Sequence, residues 1–410
     1  MKQLGVCLIV CCLLGLSVQS AQAATQPWWS FQAIDTMKFS RDPSREFLSN
    51  PERLQSVSEE QVTEIAKTGA THVAIATPYD DEFLPVLHAW VDAARRHGLK
   101  VWFRGNWSGW ESWFGYPRIT RDDHLKKTST FIVQHPELFE DGDIFSACPE
   151  CENGGPGDPR QNGDVKGHRQ FLIAEYQATT EAFKKIKKNV KTNFNSMNGD
   201  VARLIMDPST TQALGGIVVV DHYVKNPETL NKDVSDFAKR STGKVVLGEF
   251  GAPIPDINGV MSESEQAQWL QKTLDLLSTN PDLVGLSYWT NVGGTTAIWT
   301  DQGQAKTAVS VLTSHYTPKV VAGIVRNQLG ETLSAVEFQT PHQTMVTAKN
   351  GEYQVAYTNS DATISITSPG YETQEMKLSE LARQDSLVLQ RINPDFFFRF
   401  KLWFHSLLSK

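Results

Sequence analysis

A glutamate stands where an apolar run ends. In Lys244-Val245-Val246-Leu247-Gly248-Glu249-Phe250-Gly251 the run reads as a buried strand, and small residues flank the acid. A charged side chain there is costly to bury unless it has partners or a job; the plainer reading is an acid that ends a strand or caps a helix. Other apolar runs end in the same way on residues able to do chemistry. Arg104 and Asn106 follow Val101-Trp102-Phe103, with Trp107 behind them. Glu150, Glu152 and Asn153 follow Ile144-Phe145, within Cys148-Pro149-Glu150-Cys151-Glu152-Asn153. Asn195 follows Thr192 to Phe194, His222 and Tyr223 follow Ile217 to Val220, and Trp289 ends the run from Leu283.

Carboxylates, amides, a tyrosine and indoles together suit sugar chemistry. Hydrolysis of a glycosidic bond needs one carboxylic acid to protonate the leaving oxygen and a second carboxylate to attack the anomeric carbon or activate water. Amides hydrogen-bond hydroxyls, and indole faces stack on pyranose rings. No Gly-x-Ser-x-Gly elbow, HExxH or P-loop offers a different chemistry. Neither a metal nor a cofactor is expected.

These residues need a frame that brings strand ends together. Strand-like and helix-like segments alternate from about residue 31 to 316, in about eight strand-then-helix units. That pattern predicts an α/β fold, a closed (β/α)8 TIM barrel over 25–318, whose catalytic residues sit at the C-terminal ends of the strands. An open doubly wound sheet is the alternative, but no Gly-rich turn follows the first strand. Helices are expected over Ser58–Lys67, Phe83–His97, His168–Lys187 and Glu263–Leu277, and a strand over Thr192–Phe194. Composition changes after Pro318. Residues 319–392 alternate short β-rich runs with turns such as Asn350-Gly351, a hairpin signal, and predict a small antiparallel β-sandwich.

At its strand ends the chain resembles the β/α-barrel retaining glycoside hydrolases of clan A, especially family 5. Gly248-Glu249-Phe250-Gly251 matches the family's nucleophile motif in strand seven, His222-Tyr223 its sixth strand end, and Ser287-Tyr288-Trp289 its eighth. The fourth strand departs: where the family has Asn-Glu, this chain has Pro149-Glu150. The resemblance implies Glu249 as nucleophile and, by strand register, Glu150 as acid/base, with Glu152 beside Asn153 as the alternative. Asn153 or Asn106 would replace the missing amide. Tyr223 would orient Glu249, Trp289 would floor the subsite of the attacked sugar, and Arg104, Asn106, Trp107, Asn153, Asn195, His222, Tyr223 and Trp289 form the expected substrate set. The implied activity is retaining cleavage of β-glycosidic bonds in an oligo- or polysaccharide, with the carboxyl groups about 5–5.5 Å apart. Its rival is an inactive barrel that binds carbohydrate or serves at the cell surface. Residues 319–392 resemble a carboxypeptidase regulatory-like domain in Val321 to Val325, Asn350 to Tyr353 and Ser368 to Tyr371. Such modules are usually passive spacers.

The remaining features bound the setting. A net charge of -7 over 410 residues argues against a nucleic-acid partner. Residues 1–24 read as a cleavable signal peptide ending near Ala21-Gln22-Ala23, so the chain is expected to be secreted or periplasmic and to act as a monomer on its carbohydrate substrate. Beyond that leader only Cys148 and Cys151 remain; they read as a structural disulfide or free thiols, and a four-Cys zinc site is excluded within one chain. Trp107, Trp110 and Trp113 lie in a Gly-containing loop and are expected as exposed sugar platforms, the alternative being a stripe packed on the barrel. Arg104 either lies beneath the nucleophile and lowers its pKa or serves a core salt bridge; His222 is a structural histidine or a substrate contact. The tail, 393–410, is aromatic and basic, too short to span a bilayer in the usual way, and either lies in a membrane interface or packs on a domain.

Overall fold

The computed structural model describes residues 28–408 apart from 341–343, 348 and 385; the expected leader lies outside the described residues. Eight parallel strands run as β1 Phe31–Asp35, β2 His72–Ile75, β3 Lys100–Phe103, β4 Ile144–Phe145, β5 Ser196–Asn198, β6 Ile217–Asp221, β7 Lys244–Phe250 and β8 Leu283–Tyr288. They pair in the order β4-β3-β2-β1-β8-β7-β6-β5 and curl into a TIM-barrel-like sheet with helices outside. Between β4 and β5 the ladder thins. A single bridge joins Ile144 to Lys191, Phe145 N donates to Lys191 O at 2.8 Å, and Ala147 N donates to the Asn195 Oδ1 at 3.2 Å. The strand expected over Thr192–Phe194 is therefore a seam: regular pairing starts at Ser196, because side chains take over the backbone pairing just before it.

Strict alternation along the strands separates two apolar layers. Phe31, Ala33, Ala74, Trp102, Ile144, Phe194, Val219 and Val246 fill the barrel interior. Their alternates, such as Ile34, Val73, Val220 and Leu247, pack against the helices. Gly285 is required by this filling, since a Cβ there would lie 2.1 Å from the Phe31 ring. Helix starts follow capping chemistry. The helix Glu263–Leu277 opens with a reciprocal Ser262/Glu265 box. The helix Pro51–Lys67 starts a full two turns before Ser58, because Asn50 caps it and Pro51 occupies its first turn.

The residues after the barrel form two small sheets around their own core, including Val321, Val325, Phe338, Val355, Ile364, Ile366 and Leu387. One pairing departs from an all-antiparallel expectation: Ser386–Leu389 runs parallel to Lys319–Asn327. A final helix spans Phe396–Leu408.

Candidate active site

The inward-facing positions of β1, β3 and β6 end in Asp35, Arg104 and Asp221. Alternation alone would send Glu249 outward, since Val246 faces in and Leu247 faces out. An extra residue on β7 changes this. Asp221 pairs with Glu249 although Val220 pairs with Leu247, and against β8 the register also slips between Leu247 and Phe250. Such a bulge re-aims a side chain, and it brings the Glu249 carboxylate into the barrel mouth.

Arg104 organises what gathers there. Its guanidinium donates to Gly248 O at 2.5 Å, to Glu249 Oε1 at 2.7 Å and to Asp221 Oδ2 at 3.0 Å. Its Nε lies 3.6 Å from Asp35 Oδ2, and its plane lies over Trp102. Only glycine fits at 248, where a Cβ would fall 2.3 Å from Asp221 Oδ1 and 3.0 Å from Arg104 Nη1. The second oxygen of Glu249 accepts the Tyr223 hydroxyl at 2.8 Å. The Tyr223 ring meets half-buried Trp289 edge-on, centroids 6.0 Å apart. Glu249 is thus fixed at both oxygens, one by a cation and one by a phenol.

Opposite stands the Cys148–Cys151 loop, closed by a disulfide. Glu150 sits in it with φ 45°, in the left-handed region, its N–H donating to Ser196 O at 2.7 Å. Its carboxylate accepts Asn153 Nδ2 at 3.0 Å. Part of its surface stays open, yet burial, with the charges of Asp221 and Glu152, pushes its pKa up to about 8. Glu152 is deeper and differently tied: Oε1 accepts Asn198 N at 2.7 Å and Asn198 Nδ2 at 3.1 Å, and burial raises it to about 7.

The acids outnumber the cation. Burial raises Asp35 to about 6 against the pull of Arg104. Burial and then Arg104 act in opposite directions on Asp221, with a net rise. Burial and Asp221 raise Glu249, opposed by Arg104. One guanidinium faces three acids, and burial leaves each of them above its ordinary carboxylate value. Of the three acids around the guanidinium, Glu249 has the shortest contact to Arg104 and also the phenol bond, while burial and Asp221 hold its pKa well above the ordinary carboxylate value. No ion pair holds Glu150 among the described residues, which makes it the better place for a proton.

Other expected residues lie elsewhere. Asn106 is fully engaged: Nδ2 donates to Glu111 Oε1 at 2.5 Å, and Oδ1 faces Trp107 N at 2.8 Å and His124 Nε2 at 2.9 Å. His124 in turn meets Glu175 at 2.5 Å. That network leaves Asn106 nothing to offer a sugar hydroxyl. Asn195 is buried at the seam between β4 and β5, where its Oδ1 is used. His222 faces the helix Pro227–Ser241, with Nε2 2.7 Å from Asp233 Oδ2, and reads as a structural histidine. The exposed platforms are corrected too. Trp107 and Trp110 are 3% and 1% exposed. Trp107 bonds Thr128 Oγ1 at 2.9 Å under the Lys127 ammonium. Trp110 stacks on Phe171 and donates to Cys151 O at 3.2 Å, so it props the disulfide loop from below. Gly154 and Gly155 permit that approach, since a Cβ on either would lie within 2.5 Å of Trp110.

Four residues of the site escaped the sequence reading. Asp35 and Asp221 carry the same signal as Glu249, an acid closing an apolar run. Glu111, raised to about 7 by burial, and Asn198 carry no local signal.

This geometry predicts an unusual pH dependence of stability. Glu150 (about 8), Glu152 and Glu111 (about 7) have folded pKa values above their ordinary 4.5. The folded state therefore binds more protons than the unfolded one, and stability is lost as pH rises through those values. Buried His72 and His168, lowered to about 4 by burial, oppose this, but only below their ordinary 6.5. Between about pH 6.5 and 8 the acids act alone, so the thermal midpoint should fall across that window. Calorimetry at constant ionic strength reads it; a flat or rising midpoint contradicts the protonated cluster.

No protein-family model matches the chain, and no curated protein matches it. Solved structures match its fold. A GH5_18 protein of Bifidobacterium longum subsp. longum in complex with Manβ1-4GlcNAc gives a TM-score of 0.53 at 13% identity, covering 92% of this chain and 94% of that one. A GH5_18 protein of Streptomyces cattleya, also in complex with Manβ1-4GlcNAc, gives 0.51 at 13% identity, covering 72% and 84%. An FMN-binding β-glucuronidase of Faecalibacterium prausnitzii gives 0.46 at 11% identity; 79% of this chain is covered, and the chain spans about half of that protein, 53%. At these identities the likeness is one of fold.

Proposed function

We propose that the chain is an exported retaining glycoside hydrolase that cleaves β-glycosidic bonds of an oligo- or polysaccharide. The observation that carries this reading is one pair of glutamates with opposite surroundings at one barrel mouth. Glu249 is held by Arg104 and Tyr223, while Glu150 is pushed up to about 8 and has no ion-pair partner among the described residues. In the first step Glu249 attacks the anomeric carbon, the bond to the leaving oxygen breaks, and that oxygen takes the Glu150 proton. In the second, water attacks the same carbon, Glu150 takes its proton, and Glu249 is released. Tyr223 and Arg104 hold the nucleophile, and Trp289 offers a partly open indole face beside it. Glu152, tied to Asn198, supports the Glu150 loop. The fold shared with the two GH5_18 proteins supports the reading. We further assign residues 319–392 to a spacer, the leader to export, and the working form to a monomer.

A second reading, an inactive barrel that binds sugar, is favoured by Pro149 in place of the family's amide and by Asn106 being fully engaged. A fluorinated glycosyl fluoride separates the two. Mass spectrometry should find one glycosyl adduct on a peptide containing Glu249. Binding across a panel of such reagents without any adduct would overturn the enzyme and leave the binder.

A further inference from the structure

Along the helix Phe396–Leu408, several of the described apolar side chains are exposed. Phe396, Phe397 and Trp403 are 76%, 77% and 58% exposed, and Phe400 and Leu402 are exposed beside them. Phe396, Phe400 and Trp403 stand at i, i+4 and i+7, so they line one face, with Phe397 at its edge. Among the described side chains of the helix, Phe398 is the buried one, against the Arg391 guanidinium 4.9 Å away. A row of large aromatics this open is unusual on a surface that otherwise buries its aromatics well.

Charge indicates what covers it. The segment 393–410 has Arg399, Lys401 and Lys410 against the single acid Asp395, in a chain of net charge -7. Arg399 and Lys401 are exposed on the same helix as the aromatics. Thirteen residues make a rod of roughly 20 Å, and no described helix is long and apolar enough to cross a membrane. An aromatic face bordered by cations suits a helix lying in the plane of a lipid interface, its rings at headgroup depth and its cations on anionic phosphates. Pairing with a second copy would place Arg399 and Lys401 of both helices close together, so like charges oppose it.

We propose that this helix docks the protein on an anionic lipid bilayer, lying in its surface without spanning it. The body would then be tethered through this helix.

The test uses the full chain and no sugar substrate, so it stands or falls apart from the glycosidase reading. Sedimentation with vesicles of phosphatidylcholine mixed with phosphatidylglycerol is compared with phosphatidylcholine alone. The wild type should bind the anionic vesicles, and binding should weaken as salt rises. The triple variant Phe396→Ser, Phe400→Ser, Trp403→Ser should lose about a hundredfold or more in partitioning with an unchanged thermal midpoint, because these side chains are exposed. The pair Arg399→Gln, Lys401→Gln should lose about tenfold on anionic vesicles and little on neutral ones. Failure of the wild type to sediment, or equal binding by the aromatic variant, overturns the proposal. Light scattering that finds a dimer broken by the same variant assigns the face to a second copy and overturns it as well.

Discussion

Replacing Glu249 by glutamine is expected to lower kcat by about four orders of magnitude or more while the barrel stays folded. Glutamine keeps the shape, and its amide oxygen still accepts from Arg104 or Tyr223, so the scaffold loses little. It removes the attacking charge outright. Stability supplies an independent readout: one acid fewer in a cluster with one cation relieves repulsion, and the midpoint at about pH 8 should stay level or rise. The assay uses whichever aryl β-glycoside or polysaccharide the wild type turns over. A Glu249→Gln protein that works at the wild-type rate removes Glu249 from the reaction.

Arg104→Met should be the most damaging single change to the fold. It strands Asp35, Asp221 and Glu249 without their shared cation and leaves Gly248 O without its donor. Breaking a buried ion pair from one side costs about 3–5 kcal/mol, and here three acids lose the same partner. Protonation relieves the penalty, so the loss should shrink as pH falls towards about 5. Arg104→Lys should rescue only in part, because one ammonium does not reproduce the planar fork that serves Gly248 O and two carboxylates together. Urea unfolding at pH 5 and pH 8 measures both effects. A variant as stable as the wild type at both pH values would mean that the guanidinium is not what holds the mouth together.

Where the chain was legible, the cause was backbone periodicity. Eight apolar runs alternating with helical segments leave little choice but a parallel barrel, and a barrel directs attention to strand ends. Glu249 announced itself because an acid beside a strand needs a reason, and Gly248 before it is the residue that makes room for Arg104. Asp35 and Asp221 carry the same signal, but nothing local says that one arginine just after β3 joins them. The bulge on β7 is invisible in sequence; by alternation Glu249 should face the helices. Trp107 and Trp110 misled because glycines nearby suggested an open loop. Gly154 and Gly155 instead let the chain pass against the indole. His222 and Tyr223 are neighbours with opposite fates, as alternation requires: one side chain faces the helix layer and the other the mouth.

The seam between β4 and β5 has a consequence for how the site moves. Glu249 rides on a seven-residue stave paired along both edges, whereas Glu150 follows a two-residue stave whose outer edge is stitched by one bridge, isolated backbone bonds and a few side chains. Local opening starts where backbone pairing is sparsest. The Glu249 side of the mouth is therefore the anvil, and the Glu150 side is the hinge plate. The disulfide and the Trp110 prop sit on the plate, keeping it aligned while the stitching beneath it breathes.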